Sequence, residues 1–408
     1  MPEGAGVFGK SDTAARKRQI LIAGGGIAGL TAALALEQRG FAVTVFERAA
    51  QTQTEGAGLQ LSPNASRLLA KLRVLPRLEA AAVHVQTVLL LSGETAGPLL
   101  QLDVANAEAR WRAPYLSVHR ADLCAALVAE AQKRPAISLV NASEVTHFAA
   151  HANGVTASVT GPKGITEAEG IFLVGADGVG SRMRSELGGA AARDTGYLAF
   201  RNMVSADAAL PPPLRQLLGA RQVAAFLTPN AHLVAYPVRG GSALNLVAIA
   251  KHAAVPGSTD LPIVFTRLEP ALSAFLRALK DWSQWPVYTL NPSKRWSDDK
   301  RVLLIGDAAH AMVPYGAQGA AMAIEDAWTL AACIAAHRDD LPLAVSSYEG
   351  HRRKRIKQVA MRASANRFAY HASGISALAR NALFQIRGQQ MLNGLDWIYG
   401  FDASDGAK

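Results

Sequence analysis

Cysteine is scarce in this sequence: Cys124 and Cys333 are the only two among 408 residues. Two isolated thiols cannot form the disulfide framework of a small secreted protein, and they lack the spacing of a zinc site. Each lies within an apolar pattern that has the period of a helix. The sequence therefore predicts buried, reduced cysteines and a cytoplasmic location.

The N-terminus lacks the apolar core of a signal peptide. Residues 1–18 are small and polar and are predicted to form a flexible tail. The stretch at 20–40, "ILIAGGGIAGLTAALALEQRG", is strongly apolar, but three consecutive glycines interrupt it. Because glycines in that place favour a turn, the stretch predicts a strand, a turn and a helix, and no membrane span.

Acidic residues are outnumbered, since 32 Asp and Glu against 42 Lys and Arg leave a net charge of +10. Much of the excess lies in basic runs at 16–18, 294–301 and 351–357, and the last run is predicted as the solvated face of a helix. The chain has no zinc-finger spacing and no repeated aromatic-basic pattern, so nucleic acid is not an expected partner. The charge could instead steer a small anionic substrate toward the protein.

A glycine-rich turn occurs near the start of the chain, in "QILIAGGGIAGLTAALALEQRGFAVTVFER" at 19–48. Gly24, Gly26 and Gly29 fit the pattern G-x-G-x-x-G between a predicted strand and a predicted helix. The three glycines permit a tight turn, the approach of backbone to a pyrophosphate, and close packing of helix on strand. Glu47 ends the next strand, where an acid can bind both hydroxyls of an adenosine ribose. The segment therefore predicts a dinucleotide site for FAD or NAD.

Two later strands each end in a short motif with a glycine and an aspartate. Asp177 lies in "IFLVGADGVGSRMRSEL" at 171–187, and Asp307 lies in "RVLLIGDAAHAMVPYGAQGAAMAIEDAWTLAACIAA" at 301–336. Asp177 could serve only in a turn, and Asp307 could serve only as a helix N-cap. Capping does not explain the glycine-rich turn that follows Asp307, however. No second G-x-G-x-x-G stands between a predicted strand and a predicted helix.

The ordered set of these motifs resembles the single-component flavoprotein aromatic hydroxylases, the family of para-hydroxybenzoate hydroxylase. Within it the chain is most similar to the branch of salicylate hydroxylase, 3-hydroxybenzoate 6-hydroxylase and 6-hydroxynicotinate 3-monooxygenase, over about residues 19–400. The resemblance implies an α/β fold with a Rossmann-like FAD-binding domain, an inserted mixed-sheet substrate domain and a C-terminal helical region. It also implies FAD as cofactor and NAD(P)H as a co-substrate that binds transiently.

The chain is long enough for two or three hydrophobic cores. Alternation of apolar and polar residues predicts antiparallel strands over 83–104 and 197–250, with a hairpin at 231–250 joined through "RGG". The predicted division is a flexible tail (1–18), a first FAD-binding segment (19–82), a first substrate-sheet segment (83–104), a second FAD-binding segment (105–190), a second substrate-sheet segment (191–285), a third FAD-binding segment (286–340) and C-terminal helices (341–408).

The resemblance assigns FAD contacts motif by motif. Arg120 of "HRADL" matches a residue that meets the ribityl-phosphate portion of FAD, and Asp307 matches an acid that binds the ribityl chain. Many members of the family have Asn where this chain has Ala321, but the form found here is typical of the branch. The full set of matching positions is Gly24, Gly26, Ile27, Ala28, Gly29, Glu47, Arg48, Gly58, Leu59, Arg120, Asp177, Gly178, Asp307, Pro314, Gly319, Ala320 and Ala321.

Hydroxylation needs an electron-rich ring, so a base or acceptor is expected near the oxygen of a phenol. His232, at the start of the hairpin strand, is the first candidate for a catalytic residue, and Gln318 in the flavin loop is the second. Branch members often have a second His where this chain has Ala235, which leaves His232 or Tyr236 for this role, or else a substrate that needs less deprotonation. His232 could equally be a strand-end histidine with satisfied hydrogen bonds, and Gln318 could be a residue that holds its loop.

The predicted substrate contacts are Arg201, His232, Pro314 and Gln318. Arg201 of "LAFRNMV" could meet an anionic substrate, or it could be an arginine at the surface or in an ion pair. His310 is expected to pack and to form hydrogen bonds within its motif rather than to catalyse. No metal ligands are predicted.

These residues predict an FAD-dependent monooxygenase. NAD(P)H would reduce the flavin, O2 would add to its C4a carbon, and the hydroperoxide would hydroxylate a small aromatic acid or N-heteroaromatic, with or without decarboxylation. A monomer or homodimer is expected. The open alternatives are an epoxidase or N-oxygenating relative that acts on a bulky apolar substrate, and a flavin-binding protein without turnover. A flavin-dependent halogenase is disfavoured because its "W-x-W-x-I-P" signature is missing.

Overall fold

The computed structural model describes residues 19–51, 57–251, 265 and 267–405, so the predicted tail at 1–18 lies outside the described residues. The strands are β1 Gln19–Ala23, β2 Ala42–Phe46, β3 Gly58–Leu61, β4 Val83–His84, β5 Thr87–Ser92, β6 Pro98–Asp103, β7 Leu116–His119, β8 Ile137–Val140, β9 Glu144–His151, β10 Gly154–Gly161, β11 Gly164–Gly170, β12 Phe172–Gly175, β13 Arg193–Ser205, β14 Gln222–Thr228, β15 Ala231–Val238, β16 Ala243–Lys251, β17 Ser283–Thr289 and β18 Val302–Leu304. The helices are α1 Ile27–Glu37, α2 Pro63–Lys71, α3 Leu75–Leu78, α4 Ala107–Trp111, α5 Arg120–Ala131, α6 Arg182–Glu186, α7 Pro212–Gly219, α8 Pro270–Ala278, α9 Asp307–His310, α10 Gly319–Ala336, α11 Leu341–Tyr370, α12 Gly374–Asn393 and α13 Asp396–Tyr399.

A parallel sheet of five strands forms the centre of the first layer, in the order β18-β12-β1-β2-β8. The inner strands read as nearly continuous apolar runs, as expected for a sheet that helices cover on both faces. The 20–40 stretch forms β1, a glycine turn and α1, so the predicted strand, turn and helix are confirmed. The helix α10 packs against α1.

A mixed sheet of seven strands forms the second layer, in the order β17-β13-β16-β15-β14-β5-β6. The predicted hairpin is confirmed, because β15 and β16 pair antiparallel on either side of a 3-10 turn at Arg239–Gly241. One face packs with α7 and α8 around a core that includes Phe200, Phe226 and Leu233. Since side chains alternate along a strand, the other residues of β13, β15 and β16 point to the opposite face.

Two smaller sheets complete the strands. One is β3-β7-β4, and the other is the antiparallel sheet β11-β10-β9, which the sequence did not predict. The predicted fold class is confirmed by the α/β sheets and by the C-terminal helices. The division into seven segments stays a prediction.

The helix α10 is the one helix in the described portion of the chain that is long and apolar enough to cross a membrane by composition. In the structure 78% of it is buried within the protein, as is usual for a core helix. Cys333 lies in this helix and Cys124 in α5, and both thiols are free and buried.

The basic run at 351–357 is only partly a solvated face, so this prediction is wrong for two of its residues. Arg352 is 1% exposed and Arg355 is 5% exposed on the side of α11 that packs against α10. Their charges are compensated by Glu325 and Asp326, both fully buried in α10. A pattern of charges along one helix does not reveal acidic partners on another helix.

Candidate active site

The first glycine turn has the geometry of a cradle for phosphate. Gly24 has φ +106°, and a Cβ there would lie 2.4 Å from the carbonyl oxygen of Ala176. A Cβ on Gly29 would lie 1.9 Å from the carbonyl oxygen of Gly24, so neither position can carry a side chain. A Cβ on Gly26 would meet no described residue within 4 Å, which leaves room above the turn. No side chain of a described residue caps α1, so its first N–H groups are available for an anion.

Glu47 lies directly beside this turn. Its Oε2 accepts a hydrogen bond from the Gly25 N–H at 2.7 Å, and its Oε1 accepts one from the Ala49 N–H at 2.9 Å. These bonds fix the carboxylate and leave lone pairs free, because each oxygen can accept two hydrogen bonds. The side chain of Glu47 is half-buried, and the adjacent Arg48 is exposed.

The second glycine turn meets the first one in space. Gly306 precedes α9 with φ +59°, and a Cβ there would lie 3.1 Å from the Cβ of Ala28 and 3.2 Å from the Cβ of Ala323. The start of α1, the start of α9 and the first turns of α10 therefore converge. The two glycine turns are 282 residues apart in the sequence. This contact places both at one site.

Asp307 presents an exposed carboxylate at this convergence. Its side chain forms no hydrogen bond or ion pair with any residue that the structure describes, and the N-cap position of α9 belongs to Gly306. The N-cap role that the sequence left open for Asp307 is therefore not observed. Desolvation by the surrounding protein raises the pKa of Asp307, while His310 and Arg120 favour its charged form. Arg120 is itself exposed at the start of α5, so a cation and an anion face the same region.

The loop between α9 and α10 is held from both sides. Asn366 of α11 donates to the carbonyl oxygen of Tyr315 at 3.0 Å. The amide of Gln318 donates to Ser62 Oγ at 2.9 Å and accepts from Asn64 Nδ2 at 3.2 Å, in a setting where Gln318 is 4% exposed. This is the loop-holding arrangement that the sequence left as an alternative. A contact of Gln318 with substrate stays a prediction.

The helix α10 begins beyond this loop with free amides. Its N-cap, Gln318, forms no side-chain cap, so the N–H groups of Gly319, Ala320 and Ala321 lack intrahelical partners. Pro314 is exposed at the start of the loop. The side chain of Ala321 is fully buried in the core, so only its backbone can face a ligand.

A buried ionic network fixes the position of α10. Asp326 accepts hydrogen bonds from the Gly306 N–H at 2.9 Å and from Arg352 Nε at 2.7 Å, and it lies 2.5 Å from His310 Nε2. Although burial opposes ionisation, His310 and Arg352 hold the pKa of Asp326 well below its usual range. Arg352 also donates to Glu325 Oε2 at 2.6 Å. The expectation that His310 packs and forms hydrogen bonds is confirmed, but the sequence did not reveal its partner.

The "GADG" motif forms a tight local structure. Asp177 accepts hydrogen bonds from Ser181 Oγ at 2.6 Å and from the N–H groups of Arg182 and Met183 at 2.7 and 3.0 Å. Gly178 has φ +80°. The geometry matches the turn role that the sequence left open for Asp177. A contact of Asp177 and Gly178 with FAD stays a prediction.

Gly58 joins the cofactor side of the protein to the seven-stranded sheet. Its N–H donates to Asn245 Oδ1 at 2.7 Å, and a Cβ at this position would lie 2.7 Å from Cε2 of Tyr236. Leu59 follows in β3, half-buried and paired with Val118 of β7. Burial raises the pKa of Tyr236, so its hydroxyl stays neutral and can donate a hydrogen bond.

Arg201 brings a positive charge to the same face of the sheet. Its backbone pairs with Val247 of β16, which in turn pairs with Val234, between His232 and Tyr236. No carboxylate pairs with Arg201 within the described residues, and its buried Nε has no hydrogen-bond partner. Its guanidinium lies 5.5 Å from the ring centroid of Trp285. Burial lowers the pKa of Arg201, while Tyr236 opposes that shift.

His232 is 1% exposed and lies in a cluster of rings. Its ring centroid is 5.2 Å from that of Tyr315, 5.3 Å from that of Tyr370 and 5.2 Å from that of His371. Burial lowers the pKa of His232 well below its usual value, and His371 adds to this effect. The imidazole is therefore neutral at pH 7, and the same shift makes it a weaker base than an imidazole in water.

Sequence reasoning missed several residues of this site. Tyr315, Asn245 and His371 each carry a buried polar atom without a hydrogen-bond partner among the described residues. Tyr315 lies next to the predicted contact Pro314 in the glycine-rich loop, so its aromatic side chain could have been named from the sequence as a site residue. Nothing in the local sequence marked His371 or Asn245.

The residues present fit FAD. An uncapped α1 and the open space at Gly26 suit a pyrophosphate, Asp307 offers an unpaired acceptor for hydroxyls, and α10 presents free amides to the flavin ring. Across the residues that the structure describes, no group of three His, Cys, Asp or Glu side chains could hold a metal ion.

A model of the FAD binding domain family matches residues 17–363. A 3-hydroxybenzoate 6-hydroxylase of Polaromonas naphthalenivorans (strain CJ2) is 31% identical over 396 residues, which cover 95% of this chain and 96% of that protein. A 3-amino-4-hydroxybenzoate 2-monooxygenase of Streptomyces platensis is 30% identical, and the match covers 95% of this chain and 96% of that protein.

Solved structures share the fold. A salicylate hydroxylase substrate complex superposes with a TM-score of 0.76 at 22% identity, with 95% of this chain and 97% of that chain covered. Klebsiella pneumoniae HpxO, in complex with FAD and uric acid, superposes with a TM-score of 0.77 at 23% identity. The match covers 93% of this chain and 96% of that chain.

Proposed function

Because this chain belongs to the FAD binding domain family and is an FAD-dependent aromatic monooxygenase, we propose that it hydroxylates a small aromatic acid or N-heteroaromatic, with NAD(P)H as the reductant. The named activities of two full-length relatives at 30–31% identity, both on hydroxylated benzoates, support this substrate class. When bound, FAD supplies the redox chemistry with O2.

The proposed contacts to FAD come from five regions of the chain. The amides at the start of α1 bind the pyrophosphate, and Glu47 binds the adenosine ribose. Arg120 and Asp307 face the ribityl-phosphate region, and the amides at Gly319–Ala321 face the flavin ring. The positive end of α10 favours negative charge at that place.

The observation that carries the substrate assignment is the pair of Arg201 and His232 on one face of the seven-stranded sheet. An unpaired, partly buried guanidinium is suited to a carboxylate, because the two form charge-assisted hydrogen bonds. The neutral imidazole of His232 can accept a hydrogen bond from the hydroxyl of a phenol, which makes the ring more electron-rich. Tyr236, kept as a neutral hydroxyl by burial, can donate a hydrogen bond to a polar group of the substrate.

A panel of aromatic acids and hydroxypyridines tests this function. We expect at least one hydroxybenzoate to stimulate NAD(P)H oxidation by the FAD-loaded enzyme and to yield a product about 16 mass units heavier, because one oxygen atom is inserted. Product must be measured together with NAD(P)H consumption, since a ligand can stimulate oxidation without being hydroxylated.

Product only from bulky neutral compounds would contradict the proposal and favour an epoxidase or an N-oxygenating relative. Bound FAD without NAD(P)H oxidation on any compound would favour a flavin-binding protein without turnover. Asp307→Ala serves as the cofactor control, since it is expected to lower the retention of FAD and to leave the face at Arg201 intact. A cytoplasmic location and a monomer or homodimer also belong to the proposal.

A further inference from the structure

The exposed apolar side chains are concentrated on the last two long helices. Among the described residues eleven large apolar side chains are exposed, and six of them lie within residues 361–386. We term these six the C-terminal apolar surface: Met361 and Phe368 of α11, and Ile375, Leu378, Leu383 and Ile386 of α12. Single exposed apolar residues are common, but a cluster of this kind marks an interaction surface.

The helix α12 carries apolar side chains on two opposite sides. Its inner side is anchored on the seven-stranded sheet, where Phe384 is 4% exposed in one core with Leu100 of β6. Counting 100° per residue, Ile375, Leu378 and Ile386 lie within an arc of about 80° on the opposite side. Ile375 is 86% exposed and Ile386 is 79% exposed. The inner side therefore holds the helix in place, and the outer side is left for another partner.

The charge around this surface has one sign. Residues 350–395 contain nine Lys and Arg and no Asp or Glu. Arg352, Arg353 and Arg355 are paired with carboxylates that lie outside this range. The arginines within 361–387 form no ion pair with a described residue; they are Arg362, Arg367, Arg380 and Arg387. Four uncompensated cations therefore accompany the apolar side chains.

A groove between α11 and α12 brings cations and apolar side chains together. It has a volume of about 520 Å³, and its lining includes Arg362, Arg380, Phe368 and Leu383. The guanidinium of Arg367 lies 5.2 Å from the ring centroid of Phe368. Cations thus border the apolar side chains directly, as in amphipathic helices that lie at a membrane interface.

Three kinds of occupant can be compared by charge. A second copy of this chain would dock through the same surface in a two-fold dimer, which would bring the arginines together without a carboxylate between them. Nucleic acid would pair with the arginines but would leave the apolar side chains in water. A membrane with anionic phospholipid suits both, because its phosphates attract the arginines and its acyl region takes up the apolar side chains.

We propose that the C-terminal apolar surface docks on a bilayer that contains anionic phospholipid. The helix α12 lies in the plane of the membrane surface, with Ile375, Leu378 and Ile386 below the headgroups and with the arginines beside the phosphates. The inner side of α12 stays on the seven-stranded sheet. Docking therefore needs neither unfolding of the helix nor a membrane span.

Two substitutions separate the apolar contribution from the electrostatic one. Leu378→Gln removes an exposed apolar side chain from the outer side of α12, and Arg387→Gln removes an exposed charge beside it. The matched controls are Ile165→Gln, at a residue of β11 that is 73% exposed, and Arg193→Gln, at the exposed start of β13. None of these residues belongs to the proposed FAD or substrate contacts, so NAD(P)H oxidation without vesicles should stay unchanged.

Sedimentation of the FAD-loaded protein with lipid vesicles measures docking. One set of vesicles is phosphatidylcholine alone, and the other is equal parts of phosphatidylcholine and phosphatidylglycerol. We expect the wild type to bind the anionic vesicles at least about 10-fold more tightly, and salt should weaken this preference because it screens charge. Arg387→Gln should weaken binding about 5-fold, the effect of one basic residue at an anionic surface. Leu378→Gln should weaken it about 10-fold, because less apolar surface is buried.

Both control variants should bind like the wild type, and FAD content and melting temperature show whether each variant is folded. Equal binding of the wild type to both kinds of vesicle, or no binding to either, would overturn the proposal. A wild-type dimer that becomes a monomer in Leu378→Gln, measured by light scattering, would overturn it in favour of an interface between two copies. Duplex DNA binding that Arg387→Gln weakens and Leu378→Gln leaves intact would assign the surface to nucleic acid instead.

Discussion

Arg201 is a cation without a carboxylate partner among the described residues, on a face of the sheet that is otherwise lined by neutral groups, among them Val234, Tyr236 and Val247. Burying an unpaired guanidinium is costly, since its solvation in water is replaced only in part. The nearby ring of Trp285 offsets some of this cost through a cation–π contact. A site that keeps such a charge is prepared for an anionic ligand.

Arg201→Gln is therefore expected to raise the KM for aromatic acids. The loss of one charge-assisted hydrogen bond, worth about 2 kcal/mol, corresponds to a roughly 30-fold increase in KM. A phenol without a carboxylate should show little change, because it does not use this charge. Steady-state kinetics with a matched pair, such as a hydroxybenzoate and the corresponding phenol, measure the difference.

Arg193→Gln is the matched control, since Arg193 is exposed at the start of the same strand. It should leave both KM values unchanged. An equal effect of Arg201→Gln on both members of the pair would show that Arg201 stabilises the sheet rather than binding a carboxylate.

At the scale of elements, the position of α10 depends on α11. Glu325 and Asp326 lie fully buried in α10, and Arg352 of α11 contacts both through its guanidinium. The same Asp326 accepts a hydrogen bond from the Gly306 N–H and contacts His310. One carboxylate thus links the glycine turn, α9 and α10. The free amides at the start of α10 are placed by this network.

Arg352→Met is expected to lower the free energy of unfolding by about 3–5 kcal/mol, because it leaves two buried carboxylates with reduced compensation. Urea titration followed by circular dichroism measures the loss. Lys354→Met, at an exposed position two residues away, is the control and should change stability by less than about 0.5 kcal/mol. Equal stabilities of the two variants would mean that Arg355 on Glu325, and His310 with the Gly306 N–H on Asp326, compensate the acidic pair without Arg352.

The sequence predicted the secondary-structure elements better than it predicted which distant residues contact each other in the folded protein. The strand, turn and helix at 19–48 could be predicted from a local pattern, because the three glycines, two apolar strands and one acid all lie within 30 residues. The hairpin of β15 and β16 follows from alternation and a glycine turn. Tertiary partners have no such local pattern. The hydrogen bond between Gly58 and Asn245 spans 187 residues, and the one between His232 and His371 spans 139 residues.

The same limit explains the errors within the basic run at 351–357. A run of charges on a helix is usually solvated, but two of these arginines face acids that the chain supplies about 30 residues earlier. Only the packing of α10 on α11 brings the groups together. For Gln318 the sequence could name the loop but could not choose between a role in holding it and a contact with substrate.

At the scale of the whole molecule, burial of two neutral histidines makes stability depend on pH. His232 and His371 have pKa values below their ordinary value of 6.5 in the folded protein, and that of His371 is about 4. The unfolded chain therefore binds more protons than the folded chain between these values. We expect the free energy of unfolding to be at its full value above about pH 6.5 and to fall as the pH is lowered toward 4.

Urea midpoints at pH 7, 6 and 5 measure this decline. His371→Gln removes one of the two titrating rings and should make the midpoint depend less on pH. Asp326 does not affect this comparison. Its pKa is lowered in the folded protein, so the stability that it contributes is lost only as the pH falls below 3.8, the ordinary pKa of an aspartate. A wild-type midpoint that stays constant from pH 7 to pH 5 would contradict the burial of neutral rings.

The contact of Gly306 with Ala28 also has a consequence for synthesis on the ribosome. The first glycine turn leaves the ribosome 282 residues before the second one, which at about 5–20 residues per second is an interval of roughly 15–60 s. In the later part of that interval, once β12 has left the ribosome, this strand has no β18 beside it, because β18 begins at Val302. A nascent chain thus carries half of a cofactor site with an open sheet edge. Such edges pair readily with other chains. FAD can therefore be captured in full only near the end of translation, after the second glycine turn has left the ribosome.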